Sequence, residues 1–432
     1  MHEALEISLA PERLEDGLPE ERAAFGMLAI RAGSVCLTQG YDFYIDGLRD
    51  GPLVSAYHAA EWFAWNWWRL MYEPSSHRSG EWWRAHCMTS IGEGYTWPPI
   101  TIRGDGVRSA VIASPSSDPN ARPFRYLGAA PWIGSRTELE AAIDAFIPRV
   151  LDRLERSQLK TTNLHRLWTE LLDERSDRES TRSRRLEALL GKDPDEADET
   201  ILVALMADAA ELGETAVDEL AADAREGRPA TADRLHGIAD RDGTDARRTD
   251  AISLTLQGQD AVKQQIVAWR KGAAAAHALR QQESLGASPI TSGRLCRMLG
   301  TSETLVQKRT EGAPLSFALT AGHGVDRIVL RSKWDEGRRF DLARLLGDRL
   351  LFDANAPMLP VTQAYTYRQR AQRSFAAELL APFESVEAML HGDFSPDLIR
   401  EVAEHYDVSS MTIATMLRNH GLMERDELAE AA

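Results

Sequence analysis

The sequence predicts a helix-rich α+β protein, and three observations support this prediction. At 432 residues, the chain exceeds what one hydrophobic core usually accommodates, so two or three domains are expected. Runs with strand composition occur in the first part of the chain and at residues 327–334, whereas helical periodicity recurs elsewhere. The composition shifts to Ala, Arg, Asp and Glu near residue 156. We therefore predict an α+β domain (1–155), a helical connector (156–255), a C-terminal domain (256–423) and an acidic tail (424–432).

The elements of the first domain follow from strand composition, turn residues and helix signals. Ser135 with Glu138 three residues later has the pattern of a capping box, which opens a helix. The predicted elements are strands at residues 26–38 and 41–48 with a turn at Gly40, a helix at 53–72, a hairpin at 101–114 that turns at Gly104, and a helix at 136–156.

Eight of the eleven tryptophans lie in the first domain. Such a density is found in platforms that stack bases or bind a flat ligand, and also in small cores. We favour a core, because Trp62, Trp65 and Trp68 would share one face of the predicted helix whereas Trp67 would point elsewhere. Any of these candidate binding residues that remained exposed would suit a protein interface.

The same predicted helix carries a second candidate site. His58 and Glu61 lie one turn apart, and Arg69 follows two turns after Glu61. A histidine, a carboxylate and an arginine on one face could form a small active site, although three polar residues are common on amphipathic helices. An enzyme with its active site in the first domain therefore remains an alternative.

Charge and cysteine content restrict the partners and the compartment. The net charge of −16 argues against general nucleic-acid binding, which requires a positive surface. Cys36, Cys87 and Cys296 are far apart, so neither a disulfide framework nor a zinc cluster is predicted. The acidic start lacks an apolar signal region, and no apolar run reaches the roughly 18 residues of a membrane helix. We expect a cytoplasmic protein with a protein partner, no membrane association and no cofactor, and the oligomeric state stays open.

The strongest pattern lies in the C-terminal domain. Residues 338–353 read RRFDLARLLGDRLLFD and residues 367–383 read YRQRAQRSFAAELLAPF, with apolar residues at helical spacings. This pair resembles the core of the ImmA/IrrE family of zinc metallo-endopeptidases, and FAAELLAP is its most specific part. The resemblance covers residues 260–423 and implies a zincin-like, metallopeptidase-like domain that ends in a pair of helices similar to a helix-turn-helix.

The resemblance also implies that the chemistry has been lost. The two histidine positions of the family's H-E-x-x-H motif fall on Arg344 and Asp348, the glutamate position on Leu345 and the third zinc ligand on Ala371. An arginine does not ligate zinc and a leucine does not transfer a proton. We predict no metal, and an ion pair between Arg344 and Asp348, one turn apart, in place of zinc. The alternative is that both side chains are solvated on an exposed surface.

The final helices at residues 395–423 have the spacing of a helix-turn-helix. However, the sequence from residue 383 onward contains eleven acidic residues and only three arginines, which disfavours binding to DNA. Packing within the domain is therefore the favoured interpretation. The resemblance implies an inactive pseudoprotease that binds, senses or regulates, in a bacterial stress-response or phage-defence system. The alternatives are an N-terminal enzyme, a DNA-binding transcriptional regulator, and a metallo-protease with ligands such as His323 or His391.

Overall fold

A computed structural model describes residues 4–75, 79–224 and 228–423, so the predicted acidic tail lies outside the described residues. Contacts between residues divide the chain into a first unit, Met1–Leu202, and a second unit, Val203–Ala432. Both units combine helices with small antiparallel sheets, which confirms the prediction of a helix-rich α+β fold. Among the described residues, no helix is long and apolar enough to cross a lipid bilayer.

The described residues of the first unit form three antiparallel sheets with helices packed on them. Its strands are β1 (Leu5–Pro11), β2 (Phe25–Ala32), β3 (Val35–Cys36), β4 (Gly40–Asp42), β5 (Gly47–Arg49), β6 (Leu53–Ser55), β7 (Ile100–Gly104), β8 (Arg108–Ala113), β9 (Phe124–Tyr126) and β10 (Pro131–Ser135). The strand orders in the sheets are β1-β2-β3 with β6 beside β2, β10-β8-β7, and β5-β4-β9. Its helices are α1 (Pro19–Ala23), α2 (Ala56–Trp65), α3 (Trp67–Tyr72), α4 (Gly80–His86), a 3-10 turn (Met88–Ile91), α5 (Arg136–Arg156), α6 (Asn163–Ser176) and α7 (Arg178–Leu189), and α8 (Glu199–Leu212) crosses the boundary between the units.

Two elements of the first unit agree with the sequence prediction. The β7–β8 hairpin turns at residues 105–107, one residue later than predicted, and the Asp105 carboxylate accepts hydrogen bonds from the backbone N–H groups of Val107 (3.1 Å) and Arg108 (2.8 Å). Helix α5 begins with the capping box of Ser135 and Glu138.

The first hairpin differs from the prediction. The chain turns at Gly33, which has a positive φ of 55°, and not at Gly40. Gly40 is the first residue of β4 and pairs with β5 and β9. A Cβ atom at Gly40 would lie 2.1 Å from the ring of Phe124, so a close approach of side chain to backbone explains this glycine.

The predicted tryptophan-rich helix is interrupted. Residues 53–55 form β6, and the helix beginning at Ala56 breaks at Asn66, whose side-chain amide donates to the carbonyl oxygen of Trp62 at 2.9 Å. The break rotates the following turn, so Trp67 is buried whereas Trp65 remains 49% exposed. The predicted shared face of Trp62, Trp65 and Trp68 is therefore wrong.

The strands of the second unit are β11 (Thr244–Arg247), β12 (Ser316–Gly322), β13 (Val325–Val329) and β14 (Met358–Val361). In the described part of this unit they form one antiparallel sheet in the order β11-β13-β12-β14, which is covered by helices. Its helices are α9 (Glu214–Ala222), α10 (Ala232–Asp242), a 3-10 turn (Arg248–Asp250), α11 (Leu256–Lys263), α12 (Ala268–Gln282), α13 (Ser292–Met298), α14 (Thr304–Gln307), α15 (Asp335–Leu351), α16 (Tyr367–Leu380), α17 (Phe383–Leu390), α18 (Pro396–Tyr406) and α19 (Ser410–Asn419).

The predicted connector is not a separate body. Leu164 and Trp168 of α6 and Ala188 of α7 belong to the hydrophobic core of the first unit. Strand β11, also within the predicted connector, pairs with β13 in the sheet of the second unit. The predicted boundaries at residues 155 and 255 therefore differ from the observed division at residue 202, because each half of the segment buries its apolar residues in a different unit.

Three helices form the centre of the second unit. Helices α12 and α15 both pack against α16, and two glycines permit their close approach. A Cβ atom at Gly272 of α12 would lie 2.2 Å from the carbonyl oxygen of Ala371, and one at Gly347 of α15 would lie 2.6 Å from the ring of Phe375. This packing fixes the register in which α15 and α16 present their polar residues to each other.

The helix pair at the end of the described chain is part of this core. Val402 and Tyr406 of α18 and Ile413 and Leu417 of α19 are buried in the hydrophobic cluster of the second unit. Their apolar faces are thus used for packing, as the charge distribution of the sequence favoured.

Candidate functional site

The second unit contains a buried polar cluster where α15 and α16 meet. Arg344 and Asp348 on α15 are only 2% and 0% exposed. Of the two alternatives left open by the sequence, burial is therefore correct and solvation is wrong. Charged side chains are rarely buried without partners, so the hydrogen bonds of these two residues define what the cluster can do.

Asp348 pairs with α16 and not with Arg344. Its Oδ1 atom accepts hydrogen bonds from Arg368 Nε (2.7 Å) and Gln372 Nε2 (2.8 Å), and its Oδ2 atom accepts one from Arg368 Nη2 (2.5 Å). Burial acts to lower the pKa of Arg368, but the charge of Asp348, its hydrogen bonds to Arg368 and the charge of Glu219 together more than offset this effect, so the pKa is raised. The predicted pair of Arg344 with Asp348 is wrong, because Arg368 approaches with the bidentate geometry that a carboxylate prefers.

Arg344 binds oxygen atoms of α16 and of the loop before it. Its Nη2 atom donates to the carbonyl oxygen of Thr362 (2.7 Å) and to Gln369 Oε1 (2.5 Å). Asp341, one turn earlier, lies 4.0 Å from Nη1. Burial, and next the charge of Arg373, lower the pKa of Arg344 to about 9, so the guanidinium still carries its charge at neutral pH.

The side chains of Gln369 and Gln372 on α16 occupy the backbone groups at the free edge of the sheet. Among the described strands, β14 pairs only with β12, and such an edge strand normally offers unpaired backbone groups to an extended peptide. Here the carbonyl oxygen of Pro360 accepts hydrogen bonds from Gln369 Nε2 (3.1 Å) and Gln372 Nε2 (3.0 Å). The N–H of Thr362 donates to Gln369 Oε1 (3.0 Å). These backbone groups are thus unavailable for β-strand addition.

A fourth ionisable residue reaches the cluster from α9. Both carboxylate oxygens of Glu219 lie within hydrogen-bonding distance of the Thr366 hydroxyl, at 2.9 and 2.8 Å. Thr366 is the residue that caps the N-terminus of α16. Burial raises the pKa of Glu219 to about 7, while the charge of Arg368 opposes that rise.

The raised pKa of Glu219 predicts a pH-dependent stability. Because the folded-state pKa lies above the ordinary value of 4.5, the stabilisation is complete below pH 4.5 and is lost as the pH rises to about 7. We expect up to roughly 3 kcal/mol of lost stability between pH 4.5 and 8, and its absence in Glu219→Gln. Thermal unfolding at pH 4.5 and at pH 8 measures this loss of stability. The control is Glu214→Gln, at an exposed position of the same helix. Equal pH dependence in Glu219→Gln and the wild type would contradict the assignment.

The residues at the positions implied for zinc do not fit that metal. The oxygens of Asp348 are taken by Arg368 and Gln372, and the nearby guanidinium of Arg344 would repel a cation. Leu345 and Ala371 are fully buried in the hydrophobic core and have no donor atoms. In the described ranges, no group of three or more His, Cys, Asp and Glu side chains is arranged to hold a metal ion.

The histidines considered as alternative ligands lie at turns. His323 lies between β12 and β13, and His391 ends α17, each with a positive φ, of 51° and 48°. Both histidines have the left-handed backbone conformation that turns require: His323 lies in the turn between two strands, and His391 ends a helix.

The candidate residues of the first unit are not brought together as one site. His58 Nε2 lies 3.0 Å from Glu21 Oε1 of α1, and Glu61 accepts a hydrogen bond from Asn163 of α6 at 3.0 Å. Arg69 instead binds Glu73 (2.7 Å), on the other side of the break at Asn66. The alternative in which His58, Glu61 and Arg69 share one helix face is therefore not observed, since the helix that would have aligned them is interrupted.

The tryptophans of the first unit serve mainly its core. Trp62 and Trp68 are buried, and their indole N–H groups donate to the carbonyl oxygen of Arg84 (3.1 Å) and to Glu174 Oε2 (2.7 Å). This agrees with the favoured interpretation of a tryptophan-filled core. Of the three binding candidates, Trp65 alone has the exposure that a protein interface requires.

Sequence reasoning missed most of the cluster. It identified Arg344 and Asp348 but not Arg368 and Gln372, although these lie one turn apart in YRQRAQR and thus share a helix face. The available signal was this polar i, i+4 pair, in the segment that follows the one containing Arg344 and Asp348. No comparable signal existed for Glu219, which is distant in sequence and lies in a segment without a motif.

Comparison of the chain with family models, with curated proteins and with solved structures gives no match.

Proposed function

We propose that the second unit is an inactive domain resembling the ImmA/IrrE peptidases, and that the protein acts as a binding, sensing or regulatory subunit in a bacterial stress-response or phage-defence system. The observation that carries this proposal is the bidentate ion pair of Arg368 with Asp348, at the position where the resemblance would place zinc. A carboxylate so engaged would have to release a buried arginine before it could bind a metal.

A second observation supports binding without cleavage. The backbone groups of Pro360 in β14 and of Thr362 just after it are hydrogen-bonded to side chains of α16, so an extended substrate would find no free edge there. The polar cluster and the glycine contacts of α12, α15 and α16 still maintain a well-packed domain. A fold retained without its chemistry is suited to hold a protein partner.

The alternatives receive less support from the geometry. An active site in the first unit would need His58, Glu61 and Arg69 to converge, and each has a different partner. A DNA-binding helix pair would need a basic exposed face, whereas the sequence from residue 383 onward carries a net charge of −8, eleven acidic residues against three arginines.

Zinc binding tests the proposal directly. Protein purified without chelator, incubated with excess zinc and desalted is expected to contain less than about 0.1 zinc per chain, because the residues present cannot replace the metal's usual ligands. Elemental analysis measures the content, and Asp348→Asn and His323→Ala/His391→Ala are the control variants. Stoichiometric zinc in the wild type that either variant removes would overturn the proposal and identify the ligands.

A further inference from the structure

Two stretches of the second unit contain no acidic residue. Residues 261–282 and 354–377 lack Asp and Glu, although the chain has 66 of them among its 432 residues, and they carry four and three basic residues. The first stretch includes α12 and the second includes most of α16. The two helices are in contact, because Ser374 Oγ donates a hydrogen bond to the carbonyl oxygen of Trp269 at 2.7 Å. The fold therefore collects positive charge in one region of a chain whose net charge is −16.

Four of these seven cations are engaged within the unit. Arg368 and Lys263 each lie beside an aspartate, and Arg280 and Arg373 donate hydrogen bonds to backbone carbonyl oxygens. Groups satisfied in this way have little left to offer a partner. The charge available to a partner therefore rests mainly with Arg270 and Lys271, next to the exposed Arg370.

Arg270 and Lys271 lie over aromatic rings and not beside carboxylates. The guanidinium carbon of Arg270 lies 5.3 Å from the centroid of the Trp269 ring, and Lys271 Nζ lies 5.3 Å from that of the Phe352 ring. Among the described residues, neither cation has an ion-pair partner. Burial lowers the pKa of Lys271, as expected for an ammonium group whose desolvation no carboxylate offsets. Both cations therefore lack a counter-charge, which a ligand can supply.

The same surface exposes aromatic rings between its cations. Trp269 is 46% exposed, whereas tryptophan is highly buried on average. The Tyr367 ring of α16 lies 5.9 Å from Lys271 Nζ, so it extends the surface from one helix to the other. Arg370 is exposed and lies one turn from both Tyr367 and Ser374, which places it on the side of α16 next to α12. Cations and ring faces are thus adjacent on one surface.

We propose that this surface, formed by Trp269, Arg270, Lys271, Tyr367 and Arg370, binds single-stranded nucleic acid. The phosphates of the strand would supply the missing negative charge, and an unpaired base would stack on the exposed Trp269 ring. A duplex offers no free base face to a ring, and an acidic protein segment would use the cations alone. The inference goes beyond the proposed function, because it assigns a second ligand to the unit and does not depend on the zinc content.

Binding of a fluorescent oligothymidylate of about 15 nucleotides to the full chain tests the inference. We expect binding at about 50 mM salt, with a slope of log K against log salt of roughly −1.5 to −2, since each phosphate neutralised on a single strand contributes about −0.7. The absence of binding at this salt concentration would overturn the inference, and so would equally tight binding of a duplex of the same length. This measurement needs no variant, so a misfolded mutant cannot obscure it.

Two double variants test the location of the surface. Trp269→Ala/Arg270→Gln is expected to weaken binding about tenfold or more, because it removes one stacking ring and one cation. The matched control, Lys333→Gln/Trp334→Ala, removes a cation beside a tryptophan that is 77% exposed and lies outside the two stretches. Its affinity is expected to stay within about twofold of the wild type.

Equal losses in the two variants would overturn the assignment of this surface. A competition with polyglutamate, matched to the oligonucleotide in total charge, separates the two kinds of anionic partner. We expect polyglutamate to displace little of the strand, because it cannot stack on Trp269. Full displacement at equal charge would assign the surface to an acidic protein segment and overturn the inference.

Discussion

Asp348→Asn is expected to destabilise the second unit by about 3–5 kcal/mol, because it removes the negative charge opposite a buried arginine. Asp348 is fully buried, and both of its oxygens accept hydrogen bonds from Arg368. The neutral amide leaves that guanidinium without a counter-charge and places an N–H donor where an acceptor is needed. Scanning calorimetry, which resolves the transitions of a chain with two units, measures the lowered midpoint.

The matched control is Asp335→Asn on the same helix. Asp335 binds Arg309 at 2.8 Å, but its side chain is 62% exposed, so its loss is expected to change stability by less than about 1 kcal/mol. Combining Asp348→Asn with Arg368→Met removes both charges and should recover part of the loss. An effect of Asp348→Asn as small as that of Asp335→Asn would contradict the buried pair.

Gly272→Ala is expected to destabilise the second unit by about 3 kcal/mol, at the upper end of the usual cost of overpacking. The added Cβ atom would lie 2.2 Å from the carbonyl oxygen of Ala371 and 2.8 Å from the backbone nitrogen of Phe375. Both are backbone atoms of a helix, so only a displacement of α12 from α16 relieves the contact. Chemical denaturation followed by circular dichroism measures the loss.

Gly237→Ala in α10 provides a control with the opposite sign. A Cβ atom at Gly237 meets nothing within 4 Å, and alanine favours a helix interior over glycine by about 0.8–1.0 kcal/mol. We therefore expect Gly237→Ala to stabilise while Gly272→Ala destabilises. A destabilisation of similar size in both variants would contradict the explanation by close helix packing.

The sequence correctly predicted those elements that depend only on residues close together in the chain. The capping box of Ser135 and Glu138 and the hairpin that turns at residues 105–107 each depend on neighbouring residues, and both are present. The turn at Gly40 was wrong because a glycine signals either a turn or a close approach, and only the position of Phe124 distinguishes the two. The break at Asn66 was missed because asparagine is tolerated within helices as well as at their ends.

In the candidate site, too, the sequence did not indicate contacts between residues that are distant in the chain. Periodicity placed Arg344 and Asp348 on one helix face, and that face is buried, but periodicity within a helix does not indicate which partner arrives from outside. Arg368 became the partner of Asp348 because the contacts at Gly272 and Gly347 bring α16 close enough for a bidentate pair. The sequence alone favoured the nearer arginine.

By itself, the sequence determined the helix-rich α+β class, the presence of two helices within residues 338–353 and 367–383, and the absence of histidine from the positions that the resemblance implies for the zinc ligands. These properties follow from residue type and spacing. The tertiary structure decided that Arg368 neutralises Asp348, that α16 closes the edge of β14, and that Glu219 of α9 reaches the same cluster. The physical reason is that charges and backbone groups buried far from water must find partners, and packing determines which partners come within reach.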